Sequence, residues 1–219
     1  MNKKEKKERI AQIIVELKKI YPEATCALEF GGEPWKLLVM GRLSAQCTDF
    51  RVNIVCRELF AKFPTCESLS RASYEEIEEI IRPCGLFRTK AQSIKDACTM
   101  LCDEYGGELP DEMDELLKFP GVGRKIANLL LGDIFHKPAI VADTHMIRIC
   151  ARFGMYPQTL KDPHKVEKIM AELVEESEQS DLCHRIVQFG RDTFSARSPK
   201  CNECAIGHLC EMGRKMKNV

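Results

Sequence analysis

Apolar residues along this chain fall three and four apart, the spacing of helices that bury one face. Ile10, Ile13, Ile14, Leu17 and Ile20 make the first such stripe. Pro34 suits the first turn of a second helix, which carries Trp35, Leu38 and Leu43. Phe50, Ile54, Val55 and Leu59 predict a third. Ser73 and Glu76 form a capping-box pattern ahead of Ile77, Ile80 and Ile81, and Pro83 with Gly85 stops that helix. Ala91, Ile94, Cys98 and Leu101 share one side of a stretch over 90–104, ended by Gly106 and Gly107. Asp111 is placed to cap a short helix through Leu117, and Ile126, Ala127, Leu130 and Ile134 line a helix over 124–135. Asp162 and Pro163 start another, with Val166, Ile169, Met170 and Leu173 inward. No segment alternates apolar and polar residues, so no sheet is expected. The pattern predicts an all-α chain of about ten helices with short connections.

Composition narrows the class. A length of 219 residues suits one domain or two small ones. With 44% hydrophobic and 30% charged residues, the chain is not of the disordered type. No apolar run approaches the roughly 20 residues of a membrane span. The opening MNKKEKKERI has no apolar stretch of a secretory signal. A cytoplasmic protein with no membrane partner is expected. In that setting the twelve cysteines do not suggest a disulfide framework. Nine lie scattered on apolar faces, where thiols act as small hydrophobes; three cluster at the C-terminus. The 33 basic and 33 acidic residues cancel, and that total alone does not predict a nucleic-acid partner. The charge is uneven, however: acidic residues crowd 103–115 and 167–181, and basic residues crowd 3–9 and 185–217. A basic face sets its own local field.

The segment from Leu116 to Ala127, LLKFPGVGRKIA, carries the first chemistry. A short helix ends at Phe119, Pro120 does not continue it, and a second helix begins after Gly123. Gly121 and Gly123 would let the backbone take positive φ and approach another surface closely, with Val122 plugged between the helices. The first amides of the second helix, from Arg124 on, then point outward, and such a terminus holds a phosphate. This is a helix–hairpin–helix reading, a sequence-independent grip on a nucleic-acid backbone; the bland alternative is a tight turn. Lys125 lies in the first turn of the second helix. A lysine is usually a solvated surface group, but the positive end of a helix dipole disfavours a protonated amine. A neutral amine beside a gripped sugar can attack an electrophilic carbon and form a Schiff base. Further on, Ile140-Val141-Ala142 leads to Asp143, read as the N-cap of a helix carrying His145, Ile147 and Cys150. A carboxylate kept ionised by helix amides can stabilise a cationic transition state and help take a proton from the lysine.

LLKFPGVGRKIAN followed by VADTHMIR resembles the endonuclease III family of DNA glycosylases, in the helix–hairpin–helix superfamily. Leu43 to Asp49 (LSAQCTD), Cys84 to Ala91 (CGLFRTKA) and the C-terminal cysteines extend the resemblance through nearly the whole chain. It implies two helical domains with a cleft between them. A six-helix barrel bearing the hairpin would take 23–138, and 1–22 would join 139–219 in the second domain. The implied activity is that of a bifunctional glycosylase and AP lyase of base excision repair, acting on oxidised pyrimidines in duplex DNA. Lys125 would attack C1′, Asp143 would support the oxocarbenium-like state, and β-elimination would cut 3′ to the abasic site. Gln46 and Leu86 would fill the hole left by the extruded nucleotide; read alone they are a loop glutamine and a half-buried leucine. Gly121, Val122, Gly123, Arg124, His145, Arg191, Arg197 and Lys200 would contact DNA. A monomer bound to damaged double-stranded DNA, associated with the nucleoid, is the implied state. Relatives that act on mispaired bases generally lack the lysine, so Lys125 favours lyase chemistry. A glycosylase for mispaired or alkylated bases, or a non-catalytic DNA-binding hairpin protein, stays open as an alternative.

Cys201-x2-Cys204-x5-Cys210 has metal-ligand spacing. The family's pattern has four cysteines, C-x6-C-x2-C-x5-C, around a [4Fe–4S] cluster, and here Phe194 stands at the first position. Four outcomes are open: a cluster on three thiolates, which is the expected one, a site completed by His208, substitution by Cys183, or no metal, with Phe194 packed in its place. Cys47 and Ala142 also depart from the family's usual alanine and valine, which bears on base choice.

Overall fold

The structure, a computed structural model, describes residues 1–217 and, among them, holds helices and no strand. The chain is all-α, as the hydrophobic pattern predicts. In order the helices are α1 (Lys3–Ile20), α2 (Pro34–Leu43), α3 (Asp49–Lys62), α4 (Cys66–Arg71), α5 (Tyr74–Ile81), α6 (Phe87–Tyr105), α7 (Met113–Leu116), α8 (Arg124–Asp133), α9 (Thr144–Phe153), α10 (Pro163–Leu173), α11 (Gln179–Asp192) and α12 (Glu211–Lys217). Short 3-10 turns occupy Arg82–Cys84, Glu176–Glu178 and Cys201–Glu203. Among the described residues no helix is long and apolar enough to cross a membrane. The chain divides into two compact units, one made of Cys26–His136 and the other of Met1–Thr25 with Lys137–Val219.

The continuous unit holds α2 to α8. Helix α2 is apolar nearly all round, and Leu37, Leu38, Val39, Met40, Gly41 and Leu43 are all buried, as befits a central element. It packs against α3, α6 and α8. At Gly41 an added methyl group would sit 3.2 Å from Ile126 Cγ2, so that glycine lets α2 and α8 approach closely. Helix α6 buries Ala91, Ile94, Cys98 and Leu101 against α2, α4 and α5. Ser73 caps α5 in the reciprocal way that the sequence predicts: its hydroxyl accepts from the Glu76 amide while the Glu76 carboxylate accepts from the Ser73 amide.

Three details differ from the sequence reading. Phe50 and Ile54 are 77% and 50% exposed, and α3 buries Val52, Val55, Cys56 and Leu59 instead. The buried stripe is rotated by about half a turn at its start, because Val52, Val55, Cys56 and Leu59 satisfy the helical period equally well. Glu112, not Asp111, is the N-cap residue of α7. Helix α4 escaped the pattern because six residues with one buried leucine, Leu69, carry no periodic signal.

The discontinuous unit joins α1 to α9–α12. Ile10, Ile13, Ile14 and Leu17 of α1 enter one core with Ile149 and Phe153 of α9, Val166 and Met170 of α10, and Leu182, Ile186 and Phe189 of α11. Each such side chain contributes roughly 1.5–3 kcal/mol on burial. Helices α9 and α11 meet at Gly190, where a Cβ would collide with the His145 ring and come within 2.8 Å of Ile149 Cδ1.

Candidate active site

The hairpin of the continuous unit runs from α7 to α8. Gly121 has φ +77°, a left-handed conformation that favours glycine, and a Cβ there would lie 2.6 Å from Arg42 Nε and 2.8 Å from Ser93 Cβ. The turn is therefore pressed onto the end of α2 and the side of α6. Val122 is buried and its amide donates to Phe119 O at 3.0 Å. Gly123 differs from expectation. Its φ of −106° suits any residue, and a Cβ there would meet nothing within 4 Å. Its role is that of an N-cap without a side chain: among the described residues no side-chain hydrogen bond caps α8. Arg124 and the exposed Lys125 occupy the first turn of α8.

Two loops of the same unit carry Gln46 and Leu86. Both residues have positive φ, +54° and +48°, although neither is a glycine. Such conformations cost on the order of 1–3 kcal/mol each and persist where the surroundings impose them. Gln46 is exposed, and Leu86 is 58% exposed rather than half-buried. Leu86 is thus a large apolar side chain, mostly exposed, on a left-handed backbone.

Beneath these loops lies a residue that the sequence reading passed over. Lys90 is fully buried, and its Nζ donates to Leu43 O at 2.8 Å and to Cys84 O at 2.9 Å. Its backbone amide donates to Leu86 O at 3.0 Å. Burial pushes the ammonium's pKa down. Burial, and after it the neighbouring Cys47, raise the Cys84 thiol to about 11. Arg51 Nη1 adds a bond to Pro83 O at 3.4 Å. One signal could have found Lys90: it precedes Ile94 by one helical turn and so falls on the apolar stripe of α6.

In the discontinuous unit Asp143 is the N-cap of α9, as its position before Thr144 predicts. Its Oδ1 accepts from the Met146 amide at 2.7 Å. The carboxylate is half-buried, and its other oxygen does not take part in that bond. His145 is half-buried in the next turn, with Arg148 Nη2 at 3.3 Å from its Nδ1. Arg191, Arg197 and Lys200 are exposed along 191–200. Two arginines of α9 fix the path of that segment: Arg148 donates to Phe194 O at 3.1 Å, and Arg152 donates to Ser195 O at 3.3 Å and Ala196 O at 3.1 Å.

The C-terminal cysteines do not match a four-thiolate site. Cys201, Cys204 and Cys210 are all buried, but among the described residues no three of His, Cys, Asp and Glu form a group that could hold a metal. Cys210 Sγ donates to Arg152 O at 3.4 Å. His208 is exposed while the thiols are buried, and Cys183 Sγ bonds Gln179 O at 3.2 Å and the Val141 amide at 3.2 Å. Phe194 is 1% exposed. Its ring stacks on Phe189 at 5.3 Å and 16°, lies 6.2 Å from Phe153, and is covered by the Arg152 guanidinium at 5.2 Å. The residues present do not fit a [4Fe–4S] cluster.

Comparison with known proteins agrees with this geometry. Residues 39–176 match the family model described as HhH-GPD superfamily base excision DNA repair protein. The chain is 42% identical over 206 residues to an endonuclease III of Synechocystis, covering 94% of this chain and 93% of that one. It is 41% identical to an endonuclease III of Bacillus subtilis, covering 90% and 89%, and 34% identical to that of Escherichia coli K12, covering 96% and 98%. Among solved structures, an endonuclease III in a non-covalent DNA complex superposes with a TM-score of 0.90 at 40% identity, over 97% of this chain and 99% of that one. A trapped covalent endonuclease III–DNA intermediate superposes with a TM-score of 0.89 at 41% identity, over 96% and 98%.

Proposed function

The chain belongs to the endonuclease III family of the helix–hairpin–helix base excision repair superfamily, and from that premise we propose that it is a bifunctional DNA glycosylase and AP lyase for oxidised pyrimidines. The observation that carries this reading is the exposed Lys125, held in the first turn of a helix whose N-terminus no side chain of the described residues caps. A DNA phosphate would accept from the open amides of α8, with Val122 and Arg124 beside it and the basic Arg191, Arg197 and Lys200 on further phosphates. That grip would bring a sugar to the amine. Gln46 and Leu86 would enter the space left when the damaged nucleotide is extruded, at a cost lowest for weakened pairs.

The steps then follow from the groups present. The Lys125 amine attacks C1′ as the glycosidic bond breaks, and the base leaves with the bonding pair and takes up a proton that the attacking nitrogen gives up. The Asp143 carboxylate, fixed by its bond to the Met146 amide, stabilises the positive charge that develops on the sugar. Loss of a proton from the amine and opening of the sugar ring give the Schiff base. Removal of a C2′ proton then expels the 3′ phosphate, and water releases the lysine. The protein would act as a monomer on chromosomal DNA, in the cytoplasm and on the nucleoid.

Borohydride reduction tests the assignment. The protein should become covalently trapped on a duplex with an abasic site, and Lys125→Ala should abolish trapping while DNA binding persists. Trapping of Lys125→Ala at the unsubstituted rate would overturn the choice of nucleophile. Cleavage of a panel of defined lesions then reports the base preference.

A further inference from the structure

We propose that Lys90 is a positioning residue that ties the Gln46 loop to the Leu86 loop and so sets how the two residues enter DNA together. The proposal rests on the reading of Gln46 and Leu86 as the groups that fill the vacated base stack. Its basis is geometric. Leu43 O lies at the C-terminal end of α2, where helix carbonyls lack amide partners and the dipole is negative. Cys84 O closes the 3-10 turn before Gly85 and Leu86. The Nζ of Lys90 donates to both, and its amide donates to Leu86 O. One side chain therefore holds the roots of both loops, three residues before Gln46 and two before Leu86. A buried ammonium is costly, and a methionine would fill the same space without that cost. What the ammonium adds is direction: two carbonyls from separate loops must converge on one nitrogen. Arg51, in the first turn of α3 that follows the Gln46 loop, donates to Pro83 O in the turn before Leu86 and reinforces the tie. Both strained φ angles lie just beyond it.

The test separates positioning from mere stability. Lys90→Met keeps the volume and removes the donors. Single-turnover cleavage of a damaged duplex should fall about tenfold or more, and the fluorescence of 2-aminopurine opposite an abasic site should fall with it. Trapping on a single-stranded abasic oligonucleotide, which has no stack to fill, should stay within about twofold. Lys90→Gln, which restores one donor, should recover part of the loss and serves if Lys90→Met fails to fold. In a Gln46→Ala/Leu86→Ala background Lys90→Met should cost little more, since coupled residues are non-additive. Equal losses on duplex and single strand, or an undiminished loss in that background, overturn the proposal. If Gln46→Ala/Leu86→Ala alone leaves duplex cleavage unchanged, the reading of the two loops fails, and this proposal with it.

A separate observation carries a second proposal. We infer that the C-terminal segment is held by an aromatic plug in place of a metal cluster. Phe194, Phe189 and Phe153 stack in one core with Cys201, Cys204 and Cys210, and Arg148 and Arg152 hold residues 194–196 by their carbonyls. The backbone of Gly207 packs directly against Gly213, leaving no room even for a methyl group there. Protein purified under anaerobic conditions should be colourless and iron-free, and Phe194→Cys, which completes the four-cysteine spacing, should acquire iron after reconstitution. Stoichiometric iron in the unsubstituted protein would overturn the inference.

Discussion

At the residue scale, the two hairpin glycines have different physical reasons. Gly121 combines positive φ with contact to Arg42 and Ser93, so Gly121→Ala meets backbone strain and a collision together. It should lower the unfolding free energy by about 1–3 kcal/mol, read by chemical denaturation. Gly123→Ala meets neither, and should leave stability within about 1 kcal/mol. Asp143 can be dissected the same way. Asparagine keeps an oxygen for the Met146 amide but not the charge, whereas alanine loses both. Asp143→Ala should cost about 1 kcal/mol of stability and Asp143→Asn much less, while both should slow strand cleavage. Melting curves beside single-turnover rates separate the cap from the charge. The left-handed turn at Gly121 and the cap at Asp143 were legible in the sequence, because turn and cap chemistry is local. The conformation of Gly123 was not, since a glycine letter states a permission and not its use.

At the scale of elements, caps and periods were read well where the signal is local. The Ser73–Glu76 box formed as predicted, and its hydrogen bonds to the Ser73 amide and hydroxyl, with Lys62 nearby, hold the Glu76 carboxyl down at about 2 against a usual 4.5. The sign is fixed by that lowering. The ionised form is favoured in the folded chain, so its contribution is complete above pH 4.5 and is lost as pH falls towards 2. Glu76→Gln should flatten the acid limb of the stability curve in that window, as followed by circular dichroism. Local signals fail where a helix has several self-consistent stripes. Phe50 and Ile54 fit the period of α3 as well as its true buried face does, and only packing against α2 and α5 selects between them. Lys90 was hidden for a related reason: its letter suggests solvent, and only the carbonyls of two distant turns, Leu43 and Cys84, explain its burial.

At the scale of the whole molecule, a net charge of zero means that DNA affinity must come from how charge is placed. Binding should weaken steeply with salt despite that zero. Arg197→Ala and Lys200→Ala should each reduce the slope of log K against log salt by about 1, as measured by fluorescence anisotropy, if each meets a phosphate. Lesion-bearing and undamaged duplexes should lose affinity alike in these variants, because phosphate contacts position without reading bases. The all-helical class was fully legible from periodicity. The fate of the C-terminal cysteines was not: the spacing of three thiols suggests ligands, and only the Phe194 stack shows what occupies that core.

The division of the chain also orders its birth on the ribosome. Cys26–His136 is continuous and has all its helices in hand once synthesis passes α8. Helix α1 is made first, yet its partners in the core lie in α9, α10 and α11. At about 5–20 residues per second its apolar stripe waits roughly 9–34 seconds for the last of them. The run of lysines at its start keeps that early helix soluble through the delay, so the most charged stretch of the chain protects the segment that must stay unpaired longest.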